Sequence, residues 1–130
     1  MLRDDDKHED AINGLLGKTL TTITPMSHGS DGIFELIFVC EDGSRYRMFH
    51  DQDCCEHVYL AETIGDLADL IGSPILSAEC VSQDAAEELG EESATWTFYK
   101  LGTIKGHVTL RWLGTSNGYY SERVDFVREG

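Results

Sequence analysis

The densest run of reactive side chains is His50-Asp51-Gln52-Asp53-Cys54-Cys55-Glu56-His57, with two histidines, two cysteines and three acids in eight residues. Zinc takes imidazole nitrogen and thiolate in a tetrahedral shell, so His50, Cys54 and His57 are the ligands such a site would draw on. Zinc sites usually complete the shell with a second, distant pair, and the remaining cysteines, Cys40 and Cys80, fall in strand-like runs. A calcium loop counted from Asp51 places Asp53 third and Glu62 twelfth. It fails in between, because Glu56 stands where the loop needs glycine for its turn. A cysteine nucleophile needs an electropositive setting, and Asp51, Asp53 and Glu56 favour the thiol instead. Without a metal, the run reads as a connection in which Asp51 and Asp53 make local side-chain–backbone turns. No nucleophile elbow, Walker loop or dinucleotide fingerprint occurs elsewhere. The expectation is a protein that is not an enzyme and uses no cofactor.

Recognition has two other candidates. The first is charge. Twenty-four acids against ten Lys and Arg leave a formal net charge of −14. Between Arg47 and Lys100 there are twelve Asp and Glu and no Lys or Arg. An acidic face drawn from Asp51, Asp53, Glu56, Asp66 and Asp69 could imitate a row of phosphates and occupy a basic surface on a host protein. The same balance disfavours direct binding to nucleic acid or to an anionic membrane. The second candidate is Gly114–Tyr120, whose adjacent tyrosines sit beside a tight turn. Tyr119 and Tyr120 could join Arg111 and Arg123 around an anionic nucleotide signal. Tyrosine suits recognition because its large ring costs little entropy to fix.

These groups must be positioned by the elements around them. Residues 1–10, with five acids, read as an acidic flexible tail, and 11–130 as a single domain. Ala11, Ile12, Leu15 and Leu16 supply the stripe of a short helical turn that Gly17 stops. Thr19–Thr24 is strand-like up to Pro25, and Ser27–Gly32 is a turn by composition. Gly32–Cys40 and Arg45–His50 flank Glu41-Asp42-Gly43-Ser44, and Asp-Gly is a strong hairpin signal because both residues tolerate positive φ. Ile64, Leu67, Leu70 and Ile71 have helical spacing, with Gly72 and Pro74 as stops, which predicts a helix over 62–71. Ile75–Ser82 reads as a strand and 83–93 as a solvated loop with room for one helical turn. Ala94–Leu101, His107–Leu113 and Ser121–Val127 alternate apolar and polar residues, which predicts an antiparallel meander with one solvated face.

The expected fold class is therefore α+β: a mainly antiparallel sheet of five to seven strands with one short helix packed on it. A chain of 130 residues buries enough surface for an independent core. No apolar run approaches the ~20 residues that span a bilayer. The N-terminal sequence is unlike a signal peptide, so the cytoplasm of a bacterial host and reduced thiols are expected.

His50–Glu56 (HDQDCCE), Gly65–Pro74 (GDLADLIGSP), Thr95–Lys100 (TWTFYK) and Arg111–Phe126 (RWLGTSNGYYSERVDF) occur in this order. Together they resemble a family of small uncharacterised proteins from bacteriophages and prophage regions, over roughly Leu16 to Val127. The resemblance implies a mobile-element origin and an accessory, anti-defence type of role, and it supplies no catalytic residue or cofactor to carry over.

Overall fold

The computed structural model describes residues 11–27 and 32–130. The acidic tail and most of the Ser27–Gly32 turn fall outside the described residues. Eight strands form one antiparallel sheet: β1 (Leu20–Ser27), β2 (Ile33–Cys40), β3 (Arg45–Phe49), β4 (His57–Ile64), β5 (Ser77–Asp84), β6 (Ser93–Thr103), β7 (Gly106–Ser116) and β8 (Asp125–Arg128). The order across the sheet is β5-β6-β7-β4-β2-β3-β8, and β1 pairs with β2. The only other regular elements among the described residues are a few helical residues at 11–13, a 3-10 turn at Leu67–Leu70 and the short helix α1 at Ala86–Leu89.

The fold is thus nearly all β, not α+β, and the sheet curls into a half-barrel. The expected helix at 62–71 is absent. Its first residues, Thr63 and Ile64, extend β4 against Leu110 and Thr109 of β7. Both are β-branched and at home in a strand. Gly65 then turns at φ 105°, outside the helical region, and leaves only Leu67–Leu70 to coil. The carboxylate of Asp66 accepts the Ala68 N–H at 2.9 Å and caps that single turn. The apolar spacing was real, since Leu70 is fully buried, but one turn of 3-10 helix satisfies it.

The Asp42-Gly43 hairpin joins β2 and β3 as expected, in register from Glu35↔Phe49 to Val39↔Arg45. β6 and β7 pair over eleven residues. The third strand of the expected meander departs from it. β8 leaves β7 and pairs with β3, Tyr46↔Arg128 to Phe49↔Asp125. The chain from 117 to 124 must therefore cross the inside of the sheet. β1 runs through Pro25 to Ser27, which an edge strand allows because no further ladder needs the missing N–H.

The core fills the inner, concave face. Trp112, Tyr99, Phe38, Leu36, Met48, Leu101 and Leu110 are all fully buried there. Ile12 and Leu15 of the N-terminal turn are buried with them. The Trp112 indole N–H points at the Met48 sulfur at 3.2 Å, so the most polar atom of that ring is not orphaned. A smaller cluster, Ala85, Ala94 and Trp96 with Phe98 and Leu113, anchors the α1 connection on the outer face.

Candidate functional site

The crossing segment 117–124 is a strap, and it is held to β6 and β7 by specific contacts. Gly114 of β7 presents no side chain to it. A Cβ at that position would stand 2.7 Å from the Glu122 Cβ and 2.8 Å from its carbonyl oxygen. The buried Glu122 carboxylate accepts hydrogen bonds from the Thr95 hydroxyl at 2.7 Å and from the Ser116 hydroxyl. The buried Tyr99 hydroxyl donates to the Val124 carbonyl at 3.2 Å. The strap thus covers β7 and part of β6 and stops short of β5. The uncovered inward face of β5 and β6 becomes a cleft of about 570 Å³. Its floor is Cys80, Ser82, Thr95 and Thr97, and its wall is Tyr120 to Val124.

A second recess of about 420 Å³ adjoins it, sharing Ser121 and Arg123. It lies over a buried ionisable pair. The side chains of His50 and Glu56 are 4% and 0% exposed, with Nε2 and Oε2 2.8 Å apart. His50 Nδ1 meets the Arg123 carbonyl at 2.6 Å, so the ring ties the 50–56 loop to the strap. The Asp53 and Cys54 N–H groups donate to the two Glu56 oxygens at 2.9 and 2.8 Å. Gln52 donates to the same carboxylate and to the Glu56 carbonyl. Burial alone would raise the pKa of Glu56, but the Cys54 N–H, His50 and the Asp53 N–H outweigh it and hold it down to about 2.

This geometry dissolves the metal reading of the same stretch. Both ring nitrogens of His50 are engaged. His57 stacks on Tyr59 at 4.7 Å and lies near Phe34, away from His50. Cys54 is joined to its chain neighbour Cys55, where reduced thiols were expected. No group of three metal-ligating side chains converges among the described residues.

Nor do the five sequence-selected acids form one face. Asp51 and Asp53 are exposed on the loop, but Glu56 is buried beneath them. Asp66 is exposed and occupied as a cap, while Asp69 is half-buried against Gly106. A helix over 62–71 would have carried Asp66 and Asp69 on one face, but Asp66 is the extended cap residue before the 3-10 turn and lies outside it. The exposed acids cluster elsewhere, on α1 and its flanks: Glu87, Glu88, Glu91 and Glu92. Among the described residues no Lys or Arg pairs with them. Of the four nucleotide candidates, Tyr120 and Arg123 do reach one cleft. Tyr119 projects into solvent, 84% exposed. Arg111 lies on the opposite face of the sheet, over the Trp96 ring at 4.0 Å and paired with Glu62 at 2.9 Å.

A family model described as a domain of unknown function, DUF7448, matches residues 13–126. The chain belongs to the DUF7448 family. The match takes in β1 to β7, the first two residues of β8, the strap, both recesses and α1, so the geometry of the site lies within the DUF7448 domain. It bears out membership of an uncharacterised family. No curated protein and no solved structure matches the chain. Among the described residues of the DUF7448 chain, no helix is long and apolar enough to cross a membrane.

Chemically, the DUF7448 cleft offers hydrogen bonding. Ser82, Thr97 and Ser121 present hydroxyls that donate and accept alike, while the Thr95 hydroxyl already donates to Glu122. Its one buried carboxylate, Glu122, is already held by two hydroxyls. Sequence reasoning did not single out Ser82, Thr95, Thr97 or Glu122. The signal for Thr97 was a polar residue at an inward position of β6 in line with the buried Tyr99 and Leu101.

Proposed function

We propose that this protein is a non-enzymatic binding protein that holds a basic segment of a host macromolecule at the α1 end of the open cleft. The observation that carries this reading is the set of exposed carboxylates Glu87, Glu88, Glu91 and Glu92, which continues directly into Ser93 on the cleft wall. The stretch without a cation, from 48 to 99, supplies every one of them. Such a surface attracts cationic partners and speeds their encounter. A bacteriophage or prophage origin, an anti-defence role and action in a bacterial cytoplasm belong to the same proposal and rest on the sequence resemblance alone.

A small anionic nucleotide is the second reading, favoured by Tyr120 and Arg123 in one cleft wall. Amide-resolved NMR titrations at low salt separate the two. A lysine octamer is expected to shift the amides of α1 and the cleft mouth, with affinity falling about tenfold or more as added salt screens the contact. ATP is expected to leave Tyr120 and Arg123 unmoved. Saturable shifts at those two residues with ATP, and none with the octamer, would overturn the basic-partner reading.

A further inference from the structure

Among the described residues the sheet has three edges, and they are not treated alike. A free strand edge displays unpaired N–H and C=O groups, and proteins commonly blunt it with proline, bulges, short length or cover. β1 carries Pro25 and register shifts near both of its ends. β8 is only four residues long. β5 has no proline and no bulge, and its charges are the acids Glu79 and Asp84, which oppose a second acidic chain but not a basic peptide. It runs eight residues and pairs with β6 through eight consecutive partners, Ser77↔Gly102 to Asp84↔Thr95, without a shift. Among the described residues no strand pairs with its other side. Beside it lies the cleft, and β5 itself supplies Cys80 and Ser82 to the cleft floor.

We infer that β5 is a docking edge for an extended, basic peptide, which adds as a further antiparallel strand and sends its inward side chains into the cleft. The inference rests on the basic-partner reading above and names the form that partner takes. Eight residues of strand span about 27 Å, enough for a full recognition segment. Backbone hydrogen bonds to the edge would give affinity, and alternate side chains specificity. On the inward side, Ala78, Cys80 and Ser82 are small and leave room for the peptide's side chains over the cleft. On the outward side, Glu79, Val81 and Gln83 present an acid, an apolar contact and an amide, and Val81 is 37% exposed. In an alternating basic and apolar strand all basic side chains share one face, so with that face outward the peptide sets its lysines beside Glu79 and turns its apolar side chains inward over the cleft. A second copy of this chain is the poorer occupant, since each copy carries a net charge of −14 and would bring Glu79 and the α1 acids together.

The test uses a capped octapeptide alternating Lys and Val, with two isomers N-methylated on the Lys amides or on the Val amides. In an extended strand successive N–H groups point to opposite sides, so only one isomer loses the hydrogen bonds to β5. The expected result is that one isomer binds like the parent and the other at least about tenfold more weakly, while parent peptide slows hydrogen exchange at β5 amides. Equal binding by both isomers would overturn strand addition and leave the basic-partner reading standing. No binding by the parent would sink both. A dimer with protected β5 amides in the absence of peptide would assign the edge to a second copy and overturn the inference.

Discussion

Replacing Glu56 by Ala is expected to cost about 3 kcal/mol of folding stability, because it leaves a buried histidine and two backbone N–H groups facing an empty site. For a domain of this size that lowers Tm by roughly 10 °C. The conservative Glu56→Gln variant should fare little better, since its amide N–H₂ faces donors where the carboxylate offered an acceptor. The pair also predicts an acid response. The folded pKa of Glu56, about 2, lies below its ordinary value of 4.5. The folded chain therefore binds fewer protons than the unfolded one, so this contribution is complete above pH 4.5 and is lost as pH falls toward 2. Denaturant unfolding between pH 7 and pH 2 checks both points. Wild type should lose stability in that window, and Glu56→Gln should start lower and fall less steeply. Because His50 also binds the Arg123 carbonyl, loss of Glu56 should loosen the strap and the cleft wall with it.

Gly65→Ala is expected to be as damaging, by about 3 kcal/mol, for two separable reasons. Its φ of 105° is costly for any residue with a Cβ. The Cβ would also stand 2.6 Å from the His107 carbonyl oxygen and 3.3 Å from the Val108 Cα, both of them backbone. A backbone neighbour cannot swing aside, so β4 and β7 must part where Ile64 meets Thr109. Gly43→Ala separates the two causes. Gly43 has φ 88°, but a Cβ there meets nothing within 4 Å, so only the strain, about 1 kcal/mol, should appear. Thermal melts of the two variants side by side give the difference directly.

The local signals were legible wherever one residue decides a turn. Asp42-Gly43 placed the β2–β3 hairpin, and alternation placed β6 and β7, because period-2 burial is a local property. The long-range pairings were not. Nothing in Ser121–Val127 distinguishes a strand beside β7 from one beside β3, and the choice was made by Tyr46, which stacks on Phe126 at 5.2 Å. The helix expected at 62–71 failed at Gly65, whose role depends on His107, a residue more than forty positions away. The same miss carried into the site. Asp66 and Asp69 were chosen as neighbours on a helix face that does not exist. Glu56 was chosen as a surface acid, although Gln52, Asp53 and Cys54 supply the donors of a closed nest around it. Tyr120 and Arg123 were found by residue type. The hydroxyl floor beneath them was not, because a lone inward threonine in a strand looks like an ordinary strand residue until the strap is seen to stop short of it.

Charge and topology converge on the β5–β6 hairpin. It ends in the acids of α1, borders the cleft and exposes the one long edge without proline or bulge among the described strands. The most direct measurement is the affinity of the alternating Lys-Val octapeptide for wild type and for a variant with Glu87, Glu88, Glu91 and Glu92 all changed to Gln. These side chains are exposed, so the melt should be unchanged to within about 0.5 kcal/mol, while peptide affinity should fall at least about tenfold at low salt. Equal affinity of the two proteins for the peptide would contradict the account.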